Sequence, residues 1–415
     1  MIASAGRSAE AQLLLACARS RMDDGSAAGA QAALARGIQW ELLLRTAELQ
    51  GVAPLLHANL GRLFPGQIPS PHAERLRQAC RGVARQNLSL VAELRRLLQQ
   101  FEGRRIPAIP FKGPVLAASA YGNLALRRFA DLDILVRERD GDGARRLLTE
   151  LGYVLDYHIR GQEYHFVDQV RQITVDLHQR MASNYLPAPA DFDVIWGRSR
   201  PVSLGGGMVR GLAPEDTAFG LCVHLAKDYC TWKERLSQLC DLAELMAAEP
   251  TLPWDRVLNH ARAAGGERIV LLALWLTREL LGSSLPDAAG ARLERDPNVP
   301  RLGTLVKERL LRQLDGSLDY VPYRREAQVE DFRLHLVIRE RRGDRIRLVR
   351  DLIRNRVGRL VTPTELDHRF LPLPAGLSPL YYLIRPIRVA RDRLRRVPRG
   401  PRRPSLLLHP PRRTQ

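Results

Sequence analysis

The chain has no apolar run approaching the roughly 20 residues that span a bilayer. Its longest aliphatic stretches, such as Ile269 to Trp275, are short and amphipathic in context. Cysteine is scarce too: five residues, at 17, 80, 222, 230 and 240, with no Cys-x-x-Cys pair. That spacing argues against a disulfide framework or a thiolate zinc site and fits reduced thiols in a cytoplasm. His158 and His165 have no partners at metal-ligand spacing, so zinc is not expected there either. The segment Leu13-Leu14-Leu15-Ala16-Cys17 superficially resembles a lipoprotein cleavage box. Only Arg7 precedes it and Glu10 intrudes, so the expectation is an amphipathic first helix with Cys17 on its core face.

Acidic residues are the other shortage. Lys and Arg number 64 against 45 Asp and Glu, a formal net charge of +19. The excess is concentrated: residues 381–415 hold eleven arginines and one aspartate, a net of +10. Such a tail suits a polyanion, either nucleic acid or an anionic membrane surface, and equally a solvated tail on an Arg-rich protein. The segment Arg345 to Arg354 reads as a basic amphipathic helix. With Tyr381-Tyr382-Leu383-Ile384 it could lie on anionic lipid. The expected location is therefore cytoplasmic, with peripheral attachment to the inner membrane face as the variant.

What is present is enough for a folded protein. Hydrophobic residues make up 45% of 415 positions, sufficient for a core and for two or three domains. Apolar spacing predicts helices through residues 8–102, with Gly51, Pro65-Gly66 and Gly103 as stops. The pattern then changes to strands. Ile106–Phe111 is a short candidate, Asp131–Val136 a strong one, and Tyr164–Val167 and Gln172–Leu177 follow. Between them lie a small-residue helix over Val115–Tyr121 and a helix from Asp142 to Leu151. Val202–Leu204, a triple glycine and Met208–Leu212 predict a hairpin. Pro214-Glu215-Asp216 starts a second helical region that runs to about residue 360. The fold expected is α+β: an N-terminal helical region (1–102), an α/β core with a mixed sheet (103–212), a helical domain (213–330), and a basic helix with an Arg/Pro-rich tail (331–415).

The chemistry concentrates in the middle. In Asp131-Leu132-Asp133, strand alternation puts both carboxylates on one face and sends Leu132, Ile134 and Val136 to the other. Adjacent carboxylates repel unless neutralised, and hard oxygen donors suit Mg2+ or Mn2+. Thr174, Asp176, His178 and Arg180 share a face of the later strand, with Val175 and Leu177 on its core side. If the two strands are neighbours, Asp176 becomes a third carboxylate, the set that metal-dependent phosphoryl or nucleotidyl transfer uses. Asp176 could then orient or deprotonate an acceptor hydroxyl. Upstream, Lys112 and Gly113 form a turn before a helix, where backbone N–H groups and the ammonium can hold phosphate. Arg127 and Arg128 could add to that charge. His178 reads either as a substrate contact or as the group fixing a carboxylate. His224, Lys227 and Asp228, one helical turn apart, could line the cleft or simply pack. Asp241 reads as structural, capping or pairing with Arg235.

The ordered set, Lys-Gly turn, small helix, Arg, Asp-x-Asp strand and later Asp strand, resembles the DNA polymerase beta-like nucleotidyltransferase superfamily. More closely it resembles its uncharacterised bacterial nucleotidyltransferase family. The residues that carry this are Phe111-Lys112-Gly113 with Leu116 and Tyr121, Arg127 before Asp131 to Val136, and Val175-Asp176-Leu177-His178. Trp40 to Leu56 and Pro214 through His224, Trp232, Leu239 and Asp241 extend the resemblance over roughly residues 35–280. It implies metal ligation by Asp131, Asp133 and Asp176, a nucleoside triphosphate as co-substrate (ATP among the candidates), and Gly113 as the phosphate-turn glycine. Lys112, Arg127 and His178 would serve the nucleotide. The acceptor would be a small molecule, a glycan or a peptide. Pro114 departs from the superfamily's turn because it has no N–H to offer phosphate. Two rival expectations remain: a nucleic-acid-binding or tRNA-modifying protein, and a catalytically silent interaction protein of the same fold.

Overall fold

The computed structural model describes residues 7–159, 163–182, 186–187, 190–229, 234–316, 332–350 and 370–394. Cys230, Trp232, residues 351–354 of the expected basic helix and the tail beyond 394 lie outside them. The chain divides into two compact units, residues 1–344 and 345–415.

The first unit opens with five helices: α1 (Ala9–Cys17), α2 (Asp24–Ala35), α3 (Trp40–Leu49), α4 (Ala53–Leu63) and α5 (Ser70–Gly103). Ser8 caps α1 through its hydroxyl and Asp23 caps α2 through its carboxylate, each accepting a backbone N–H of the first turn. Cys17 is buried on the core side of α1, as expected for an amphipathic first helix. Helix α5 has 34 residues and is about 50 Å long at the usual rise. That length lets it serve two cores. Leu76 and Cys80 pack among the N-terminal helices, whereas Leu90, Val91, Leu94, Leu97 and Phe101 cover the sheet.

The sheet has five strands: β1 (Ala108–Pro110), β2 (Asp131–Val136), β3 (Val154–Ile159), β4 (Glu163–Asp168) and β5 (Ile173–His178), in the order β1-β2-β5-β4-β3. Only β2 and β5 run parallel; the other neighbours are antiparallel. A parallel pair needs a crossover, here supplied by α7 (Gly141–Glu150) and the β3–β4 hairpin. Helix α6 (Gly113–Ser119) follows β1. After the sheet come α8 (Phe192–Arg198) and the hairpin of β6 (Arg200–Leu204) and β7 (Gly207–Gly211). One face of the sheet packs Leu132, Ile134, Val136, Val175 and Leu177 against α5. The other carries a small cluster of Ile109, Phe111, Leu135, Ile195 and Leu212, and beside it the acids.

The second helical region continues through α9 (Pro214–Tyr229), α10 (Leu236–Ala248), α11 (Trp254–Ala264), α12 (Glu267–Leu281), α13 (Asp287–Arg295) and α14 (Asn298–Leu314). It shares one apolar core with α1–α4. Two elements differ from expectation. Strand β3 exposes all six of its residues, so it lacks the buried side that makes a strand readable. Helix α8 is only seven residues long, too short for periodicity to register.

Candidate active site

The parallel register of β2 and β5 pairs Asp131 with Thr174, Asp133 with Asp176, and Leu135 with His178. Neighbouring strands lie about 4.8 Å apart, so the pairing sets Asp133 and Asp176 side by side. Strand β4 adds the next row, with His165 opposite Asp176 and Glu163 opposite His178. His165 Nδ1 stands 2.6 Å from Asp176 Oδ1, and His178 Nε2 stands 2.8 Å from Asp133 Oδ1. Glu163 Oε2 lies 3.6 Å from the other nitrogen of His178. Asp133 and Asp176 therefore each have one imidazole holding them. Ligand atoms of Asp133, Asp176 and His178 all fall within 4.8 Å of one another, a spacing that a single cation can bridge. Asp131 is two residues before Asp133, on the same face, at the head of β2.

The charge balance of this cluster is uneven. Burial pushes the Asp131 carboxyl up to about 6, and the charges of Asp133 and Asp176 add to the effect against Lys112 and Arg127. Burial likewise raises Asp176, reinforced by Asp133. Asp133 goes the other way. Burial opposes its ionisation, but Lys112, the bond from His178 and nearby His224 together hold it below the usual carboxylate range. One carboxylate is thus held ionised beside two whose ionisation burial opposes.

Across the acids sits the turn between β1 and α6. Phe111 N donates to Asp133 O at 3.1 Å, and the Phe111 ring meets His178 edge-on at 5.0 Å. Lys112 adopts a positive φ of 56°, a conformation uncommon outside glycine and frequent at functional turns. Its Nζ lies 5.1 Å over the Phe111 ring and 3.4 Å from His224 Nδ1 on α9. Gly113 has φ 34°, and a Cβ there would sit 3.5 Å from the Asp131 carbonyl oxygen. The turn thus lies directly on the acidic strand.

Arg127 is largely buried. Its guanidinium makes a bidentate pair with Asp241 of α10 (Nε–Oδ1 2.7 Å, Nη2–Oδ2 2.8 Å), and Tyr121 donates to the same carboxylate at 2.7 Å. Its third nitrogen reaches the Gly113 carbonyl oxygen at 3.4 Å. So Arg127 braces the Lys112-Gly113 turn from behind, and Asp241 is its partner rather than that of Arg235. Asn87 of α5 anchors the same loop through the Leu124 and Arg127 carbonyls, at 2.6 and 2.8 Å. A cavity of about 450 Å³ lined by Arg198, Asp216, Phe219 and His260, among others, includes none of these residues.

The structure therefore gathers Asp133, Asp176 and His178, with Asp131 and the Lys112-Gly113 turn alongside. Sequence reading passed over Glu163 and weighed His165 only as a zinc ligand. Alternation in Glu163-Tyr164-His165-Phe166 put them on one face; only the β4–β5 pairing revealed which acid that face meets.

No curated protein matches the chain. Among solved structures it is similar to the solution structure of the antibiotic-resistance factor ANT(2'')-Ia, at 13% identity over 42% of this chain and 90% of that one, with a TM-score of 0.32. The model of a family described as uncharacterised nucleotidyltransferase matches residues 36–282, which takes in the turn, both acidic strands, and α9 and α10 behind them. With more than half of its length under that match, this chain belongs to the uncharacterised nucleotidyltransferase family.

Proposed function

We propose that this protein moves a nucleoside monophosphate from a nucleoside triphosphate to an acceptor, with Mg2+ or Mn2+ held by Asp131, Asp133 and Asp176. The observation that carries this reading is the register of β2 and β5, which sets Asp133 beside Asp176. The donor set fits a hard divalent cation: carboxylate oxygens of Asp133 and Asp176 lie with a His178 nitrogen within 4.8 Å of one another, and Asp131 stands on the same strand face. When bound, the cation neutralises triphosphate charge and lowers the pKa of the attacking hydroxyl.

The chain's own residues then have separate tasks. Asp176 accepts the acceptor's proton as the new O–Pα bond forms and the Pα–O bond to pyrophosphate breaks. His165 holds Asp176 in orientation, and His178 does the same for Asp133. Lys112 meets the phosphates with its ammonium, and Gly113 allows their close approach. Pro114 at the start of α6 leaves Gly113 and Lys112 to carry those contacts. Arg127 acts through the turn that it braces. The acceptor is an O–H or phosphate nucleophile on a small molecule, a glycan or a peptide.

The test is pyrophosphate release from each common triphosphate, with Mg2+ or Mn2+ and a cell extract as acceptor source. Release by the wild type that is abolished in Asp133→Asn and Asp176→Asn supports the reading. Release that persists in both variants contradicts it. Salt-sensitive RNA affinity with neither turnover nor Mn2+ binding would favour an interaction protein instead.

A further inference from the structure

We infer that the C-terminal unit carries a surface that docks on anionic lipid. In the second unit, a 3-10 turn over Ala375–Leu380 leads into helix α15 (Tyr381–Leu394). Tyr381 is turned inward, and its hydroxyl accepts the Leu373 N–H at 2.8 Å. That contact fixes which side of the helix faces out. The side opposite Tyr381 is apolar: Leu383 is 67% and Ile387 68% exposed, one helical turn apart, and Leu377, Leu380 and Tyr382 of the same segment are exposed too. Five large apolar side chains exposed within eleven residues mark a binding surface rather than ordinary decoration.

Charge selects the occupant. The surface lies in a segment, residues 381–415, with a net charge of +10. A second copy would bring the same excess and be repelled. Nucleic acid would use the arginines but has no use for exposed leucine and isoleucine at a phosphate backbone. Anionic lipid uses both, since basic side chains meet headgroups while the apolar stripe enters the acyl boundary. No helix among the described residues is long and apolar enough to cross a membrane, so the contact is a docking at the surface. This inference stands apart from the transfer chemistry proposed above.

Co-sedimentation of the full chain with lipid vesicles at physiological ionic strength tests it. The vesicles are phosphatidylcholine alone, or phosphatidylcholine mixed with phosphatidylglycerol. The wild type should pellet with the anionic vesicles and bind the neutral ones roughly tenfold more weakly or less. The double variant Leu383→Asp/Ile387→Asp alters only exposed positions and should keep its circular dichroism, yet lose roughly tenfold in affinity for anionic vesicles. Three results would each overturn the inference: no pelleting with anionic vesicles, equal pelleting with neutral ones, or binding by the double variant that is unchanged and fully displaced by poly(U). The last would identify a general polyanion-binding tail.

Discussion

At the scale of single residues, two of the acids are each held by an imidazole. His165 touches Asp176 and not the space between the carboxylates, so its effect should pass through Asp176. His165→Ala is expected to weaken Mn2+ binding and transfer by about 10–100-fold, the usual penalty for losing a group that orients a ligand. Its melting temperature should stay unchanged, and His165→Asn, which can still donate, should recover part of the loss. Mn2+ titration followed by electron paramagnetic resonance reads this directly. Asp241 makes the opposite case. Asp241→Ala would leave Arg127 buried and unpaired, at a cost of about 3–5 kcal/mol, visible as a large drop in thermal midpoint. The three acids were readable because alternation along Asp131-Leu132-Asp133 and Val175-Asp176-Leu177 is a local property. The partners of Arg127 and Asp176 were not, because 114 residues separate Arg127 from Asp241 and the chain must fold before they meet.

At the scale of elements, the sheet is tied to α5 by one charged cluster. Glu93 accepts from Arg96 (2.6 Å), Tyr153 (2.5 Å) and Arg171 (2.6 Å). Burial opposes ionisation of Glu93, but these three donors overcome it and hold its pKa down to about 2, from 4.5. A carboxylate with a folded pKa below its unfolded one stabilises the protein fully above the unfolded value. That stability is lost as pH falls from about 4.5 toward 2. Urea midpoints should therefore fall across that window in the wild type, and in Glu93→Gln they should start lower and vary less. The joint between α12 and α14 makes a steric prediction. A Cβ at Gly303 would run into the buried Trp275 ring, so Gly303→Ala should cost about 1–3 kcal/mol by overpacking. Long periodic helices such as α5 and the acidic strand β2 were legible in the sequence. Strand β3 was not, because its pairing with β4 and not burial defines it.

At the scale of the first unit, a small sheet lies in sequence between two helical regions. Helices α1–α4 and α9–α14 share one core although the sheet's residues separate them in sequence. Helical periodicity announced both regions, but nothing local to either says that they join. The same joining brings α9 and α10 behind the turn, so that His224 meets Lys112 and Asp241 meets Arg127. The site is thus assembled from both halves of the family match, the sheet and the helices after it. The most direct test of the transfer chemistry follows the label of a triphosphate with a cell extract as acceptor pool and Mg2+ or Mn2+ present. With label in the α-phosphate, a product should become labelled, and label in the γ-phosphate should leave as pyrophosphate. Both signals should vanish in Asp131→Ala and Asp133→Ala. Transfer of the γ-label to product, or α-label transfer that survives either substitution, would contradict nucleotidyl transfer at this site.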